Sequence, residues 1–214
     1  SDTLRGLRNR LLTSTSDATL QDDNGPIWLG HRLASSDVPD GYVETIRTKS
    51  AWVMHMLRNL MSESGEPDDS SDSLTLFLQF VRRLLAEHDG GLVSTWDFKA
   101  AAERSMTDRM DLRGDGTFDW FFDQWVFGTG VPRYQLEYEV QESLDGFVVS
   151  GRAIESEGLG FVMPVPVYSQ FGTDAPAYLG DVVVDGNEGE FFFYMDARPS
   201  DLLLDPYDTI LRKP

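Results

Sequence analysis

Apolar positions along the first part of the chain recur at helical spacing. Leu4, Leu7, Leu11 and Leu12 face one way between Thr3 and Thr13, with Arg5, Arg8 and Arg10 opposite, which predicts a short amphipathic helix. Ser14 to Asn24 is polar and turn-prone. Gly25-Pro26-Ile27-Trp28-Leu29-Gly30 is apolar and flanked by glycine, too short for a stable helix, and is expected to be an extended piece packed on its neighbours. Ala34 to Asp40 reads as loop. From about Tyr42 to Leu60, Ile46, Ala51, Val53, Met54, Leu57 and Leu60 form a wide apolar face, so a largely buried helix is predicted. After an acidic, serine-rich stretch (Ser62–Asp72) broken by Gly65 and Pro67, Ser73 caps a helix that buries Leu74, Leu76, Phe77, Phe80, Val81, Leu84 and Leu85. It stops at Asp89-Gly90-Gly91. Ser94 or Thr95 caps the next helix, with Asp97 in its first turn. A last helix covers about Phe118 to Phe127.

The period then changes. In DWFFDQWVFGTGVPRYQLEYEV, Gly128 and Gly130 end the helix and Val131-Pro132 forces extended backbone. Leu136, Tyr138 and Val140 then alternate with Gln135, Glu137 and Glu139. Strands are predicted near Tyr134–Gln141, Phe147–Ile154, Phe161–Tyr168, Tyr178–Val184, Glu190–Met195 and Leu202–Leu204, with hairpin signals at Asp145-Gly146 and Asp185-Gly186. Pro164 and Pro166 place the third strand at an edge, or turn its proline positions away from a partner. The expected fold is α+β in two domains: an all-α helical bundle over residues 1–131 and an antiparallel β-sandwich over 132–214.

Composition narrows the function. The 214 residues carry a net charge of −18, with 41% hydrophobic and 12% aromatic residues, enough for packed cores. There are 13 basic and 21 acidic residues before Val131 and 5 basic and 15 acidic after it, so the halves carry −8 and −10. Neither half offers a cationic footprint for phosphates, which sets nucleic acid aside and disfavours anionic membranes. No run of about 18 apolar residues provides a membrane span. The absence of cysteine rules out disulfides and thiolate metal sites. Ser1-Asp2-Thr3-Leu4 has no signal-peptide character and reads as a fragment boundary just before a helix.

Candidate chemistry is sparse. His31, His55 and His88 are far apart in sequence, and no H-E-x-x-H motif pairs two imidazoles on one helical face, so no zinc site is predicted within these residues. Asp111, Asp115, Gly116 and Asp119 imitate a calcium loop. Arg113 stands where a ligand belongs and Phe122 where the closing carboxylate belongs, so a turn into a helix is the better reading. The acidic Ser62–Asp72 stretch reads as a solvated loop, with calcium as its alternative. No G-x-S-x-G, P-loop or G-x-G-x-x-G after a strand occurs. Tyr134, Tyr168, Tyr178 and Tyr194 either fill the core between two sheets, the favoured reading, or stack on sugars.

Several segments together resemble the C-terminal part of aminopeptidase N family zinc metallopeptidases (gluzincins). They are Gly25-Pro26-Ile27 with Leu29-Gly30, and Thr48-Lys49-Ser50-Ala51-Trp52-Val53-Met54-His55-Met56-Leu57-Arg58. Ser94-Thr95 with Asp97-Phe98 follows, then Phe121-Phe122-Asp123-Gln124-Trp125-Val126 with Gly128-Thr129-Gly130-Val131-Pro132, and finally Met163-Pro164-Val165-Pro166-Val167 and Leu204-Asp205-Pro206. The resemblance implies that residues 1–131 are the helical remainder of a thermolysin-like catalytic domain and 132–214 a β-sandwich. It also implies that the zinc ligands, the glutamate base and the amine-binding motif lie upstream. No cofactor is then held in this chain, although zinc is implied for the full-length parent, together with a peptide substrate. The fragment would wall the substrate cleft and brace the catalytic domain without activity of its own.

The family's Tyr-x-Lys-Gly supplies a tyrosine hydroxyl to the developing oxyanion. Here Arg47-Thr48-Lys49-Ser50 is aligned, so Arg47 occupies that position and departs from the pattern. The alternatives are a non-catalytic module binding a glycan or protein, and a pseudoenzyme scaffold. Truncation would also leave an apolar surface through which copies could self-associate.

Overall fold

Leucine rows and aromatic clusters place the helices before Gly130, and strict alternation places the strands after Pro132. The computed structural model describes residues 2–13, 24–34, 36, 41–62 and 71–214. Most of the turn-prone stretch after Ser14, of the 34–40 loop and of the acidic Ser62–Asp72 loop lies outside the described residues. The chain divides into two compact units, Ser1–Gly130 and Val131–Pro214.

In the first unit, α1 (Asp2–Leu11) buries Leu11, and its Leu4 carbonyl accepts the Trp52 indole N–H at 3.2 Å. The glycine-flanked segment is not extended, as expected, but a 3-10 helix, Ile27–Leu33, bent at Gly30. Its turns pair backbone groups, as between the Ala34 amide and the His31 carbonyl, that an extended strand without a partner would leave unsatisfied. The helical pattern from Tyr42 to Leu60 is realised in three pieces: α2 (Gly41–Val43), a π-helical segment (Glu44–Lys49) and α3 (Ser50–Leu60). Trp52, Met56, Leu57 and Leu60 form the buried face of α3.

Then come α4 (Ser71–Glu87) and α5 (Thr95–Glu103). Ser94 and Asp97 form a reciprocal capping box at the start of α5, and the Ser94 hydroxyl and amide hold the Asp97 carboxyl below its ordinary range. The last helix, α6 (Asp119–Trp125), turns Trp120, Phe121, Phe122 and Trp125 inward. Phe118 stacks on Phe121 with ring centres 4.7 Å apart, and the Trp120 indole donates to the Met110 carbonyl at 2.8 Å. Burying each such ring stabilises the unit by about 1.5–3 kcal/mol. Gly128 follows the end of this helix, where a Cβ would lie 2.7 Å from the Asp123 carbonyl oxygen and only glycine fits.

The second unit has six antiparallel strands: β1 (Tyr134–Ser143), β2 (Gly146–Glu155), β3 (Val162–Gln170), β4 (Ala177–Asp185), β5 (Glu188–Met195) and β6 (Asp201–Leu204). They form one sheet in the order β1-β2-β5-β4-β3-β6. The two ends of that order meet, since the Tyr138 hydroxyl on β1 donates to Asp201 at 2.7 Å and accepts the Leu202 amide of β6 at 3.3 Å. Strands β4 and β5 share one paired position, Asp185 with Glu188, beyond their two-residue turn. Gly189 permits the close approach there, because a Cβ would lie 2.0 Å from the Val183 carbonyl oxygen.

The expected architecture, a helical bundle followed by a separate β-sandwich, is therefore corrected. The strands close into a nearly complete barrel rather than two stacked sheets, and the six α-helices among the described residues, from 3 to 17 residues long, do not make a helical bundle followed by a separate sandwich. The reason lies in strand order: all six strands belong to one sheet, joined between β4 and β5 at their shared turn, and its twist brings the outer strands together. The proline strand β3 sits between β4 and β6, but β6 pairs only with Val167–Gln170. Pro164 and Pro166 thus fall where β3 has no ladder on that side.

Two buried carboxylates organise the barrel's loops. Glu155 accepts the amides of Glu157, Leu159 and Gly160. Asp205, fully buried and at a positive φ of 44°, accepts the Thr209 amide and hydroxyl and the Ile210 amide, with the Arg212 guanidinium 3.6 Å away. Burial pushes the Asp205 carboxyl up to about 6, against the pull of Thr209 and Arg212. The folded state then holds a proton that the unfolded chain has released between about pH 4 and 6, so stability falls as pH rises through that window and levels off above it. Relative to Asp205→Asn, the intact chain should lose roughly 3 kcal/mol over that window. Urea unfolding followed by circular dichroism at pH 4, 5, 6 and 7 checks it, and parallel pH profiles for the two proteins would contradict it.

Candidate functional site

Arg47 lies on the π-helical segment and its side chain is exposed. A π turn inserts one extra residue per turn, which swings the side chains of this stretch out of step with α3. Within it the Thr48 hydroxyl donates to Glu44 at 2.9 Å, and Lys49 is fully buried with its ammonium 3.2 Å from the Gly128 carbonyl. The Arg47-Thr48-Lys49-Ser50 motif thus splits into an outward guanidinium and an inward ammonium that ties this segment to the end of α6.

The three histidines have separate local roles. His31 stacks on Tyr42 at 5.0 Å, His55 Nε2 meets the Asn59 amide at 3.1 Å, and His88 Nδ1 lies 3.0 Å from the Leu84 carbonyl. Among the described residues, no group of three His, Asp or Glu side chains converges as a metal would require. The calcium-like loop folds as a turn. Asp111 accepts the amides of Asp115 and Gly116, Asp115 accepts the Thr117 amide and hydroxyl, and Phe122 is buried. Asp119 is paired with Lys99 at 2.9 Å.

The barrel offers a more open surface. Pairing of β1 with β2 and of β2 with β5 sets rows of three outward side chains: Glu137, Arg152 and Glu190, then Glu139, Ser150 and Phe192, then Gln141, Val148 and Tyr194. A shallow groove of about 630 Å³ runs over this face, lined among others by Glu137, Glu139, Ser150, Arg152, Glu190 and Phe192. Arg152 is held by Glu137 at 2.8 Å and Glu188 at 3.2 Å, which keep its guanidinium above its ordinary value. Phe192 and Tyr194 are 55% and 77% exposed and meet edge to face at 5.0 Å.

Of the four tyrosines with two readings, Tyr134 and Tyr168 are buried, Tyr178 is half-buried against Tyr168, and Tyr194 is exposed. The expectation that such rings fill a shared core fails for Tyr194. Phe192 was not anticipated as a surface residue.

No family model matches the sequence, and no curated protein does. Among solved structures, the fold is similar to the crystal structure of Legionella pneumophila aminopeptidase A in complex with aspartic acid, with a TM-score of 0.56 at 18% identity. The similarity covers 97% of this chain and 20% of that enzyme, so the chain spans about one fifth of its length. At that identity the likeness is one of fold. No helix among the described residues is long and apolar enough to cross a membrane.

All five tryptophans, Trp28 to Trp125, precede Gly130, so their fluorescence reports the helical unit alone. Lys49→Ala removes a fully buried side chain and the bond to Gly128, and should lower that unit's unfolding free energy by about 2–4 kcal/mol. A change below about 0.5 kcal/mol in tryptophan-detected urea unfolding, the range of ordinary surface substitutions, would contradict the tie.

Proposed function

We propose that this chain is a non-catalytic portion of an aminopeptidase-like protein, walling the substrate cleft and bracing the catalytic domain. The observation that carries the reading is a fold likeness over nearly the whole chain to one fifth of an aminopeptidase. The motif order from Gly25-Pro26-Ile27 to Leu204-Asp205-Pro206 supports it. Among the described residues no three His, Asp or Glu side chains group as a metal site would need. Zinc and the peptide substrate belong to the parent protein in this reading.

A second reading, a scaffold that keeps the architecture without the chemistry, draws on Arg47. A guanidinium in place of a neutral hydroxyl would place positive charge beside a metal and change both oxyanion binding and nearby acid strengths.

Residues 1–214 should show no hydrolysis of aspartyl or leucyl anilides above buffer, with or without added zinc. A zinc-dependent rate from this chain would overturn the proposal. In the full-length protein Arg47→Tyr should raise hydrolysis if the chemistry is only weakened. An unchanged zero rate there favours the scaffold reading.

A further inference from the structure

The outer face of β1, β2 and β5 combines features that the peptidase reading leaves unused. Two rings, Phe192 and Tyr194, stand exposed side by side on β5. Opposite Phe192 the central strand carries only the small Ser150, set between Val148 and Arg152 on the same face, so the surface is dished there. Four carboxylates, Glu137, Glu139, Glu188 and Glu190, share this face with one guanidinium.

That guanidinium is already spoken for. Arg152 bridges Glu137 and Glu188, which leaves Glu139 and Glu190 on either side of the dish. Glu139 receives the Gln141 amide at 2.9 Å, and Glu190 makes no ion pair among the described residues. A cation over Ser150 would therefore meet two carboxylates without a cationic partner, beside the exposed Phe192 ring.

We infer that this face is a docking site for a basic peptide segment of a partner protein, one of whose lysine or arginine side chains seats over Ser150, between Glu139 and Glu190 and against Phe192. Charge complementarity selects this occupant. The barrel half of the chain carries −10, so anionic surfaces are repelled, and a neutral sugar would use the rings but leave both carboxylates uncompensated. An aliphatic stem lying on Phe192 and Tyr194 with its charged end between the carboxylates uses every exposed feature of the face. The inference stands apart from the peptidase reading, since it concerns only the barrel's own surface.

The chain is titrated with a fluorescein-labelled lysine hexapeptide, read by fluorescence anisotropy in low and moderate salt. Binding should weaken roughly ten-fold in Glu139→Gln/Glu190→Gln and several-fold in Phe192→Ser. The control Glu142→Gln/Asp174→Asn, which removes the same charge from exposed positions outside the groove, should stay within about two-fold, as expected when diffuse attraction is screened. All the substituted side chains are exposed, and circular dichroism verifies that each variant is folded. Equal weakening in the control would reduce the effect to net charge and overturn the proposal, as would absence of binding or indifference to Phe192→Ser. Binding of a neutral cellohexaose that is lost in Phe192→Ser but kept in the carboxylate variant would assign the face to glycans instead.

Discussion

The register between β2 and β5 decides what the barrel hides and what it shows. Val149 lies opposite Phe193 and Gly151 opposite Phe191, while Val148 lies opposite Tyr194 and Ser150 opposite Phe192. Side chains in a strand alternate strictly, so fixing one pair fixes all of them. Phe191 and Phe193 stack on each other at 5.2 Å on the inner side, and Phe192 and Tyr194 meet on the outer. A slip by one residue would exchange these pairs and bring Arg152 and the outer carboxylates toward the core. Gly151 guards the register from the β1 side, where the Glu137 and Tyr138 backbone leaves no room for a Cβ.

The rest of the barrel follows from closing this sheet. Tyr138 joins β1 to the start of β6, and its hydroxyl is held above its ordinary value chiefly by burial and then by Asp201. Asp205 and Glu155 then collect the backbone donors that the loops would otherwise leave buried and unpaired. The helical unit rests on a different principle. Its core is a run of aromatic rings around Phe118, Phe121 and Phe122, and among its buried polar side chains is Lys49, whose ammonium reaches the Gly128 carbonyl just past the end of α6.

Much of this was legible in residue patterns, because local rules set local structure. Alternation located all six strands to within a few residues, and Ser94 with Asp97 announced the start of α5. What alternation does not encode is which strands are neighbours. The barrel depends on contacts as distant as Tyr138 with Asp201, and nothing in either segment distinguishes a closed ladder from two stacked sheets. The π segment was invisible for a related reason: an extra residue in a helix has no composition of its own, and the apolar face around Ile46 reads the same either way. The exposed rings were half legible. Five apolar residues in succession, Phe191 to Met195, cannot all face inward on a strand, so some must be outside. Which ones depends on the partner strand. The Gly25–Gly30 segment misled because glycine and proline mark a break without saying whether the next turn tightens or extends.

The account turns on the β2–β5 register, which nuclear Overhauser contacts between side chains report directly. Contacts from the Val149 methyls to the Phe193 ring, and from the Val148 methyls to the Tyr194 ring, are the predicted pattern. Contacts from Val149 to the Phe192 or Tyr194 ring in their place would mean a shifted ladder, and would contradict both the barrel core and the outer face described here.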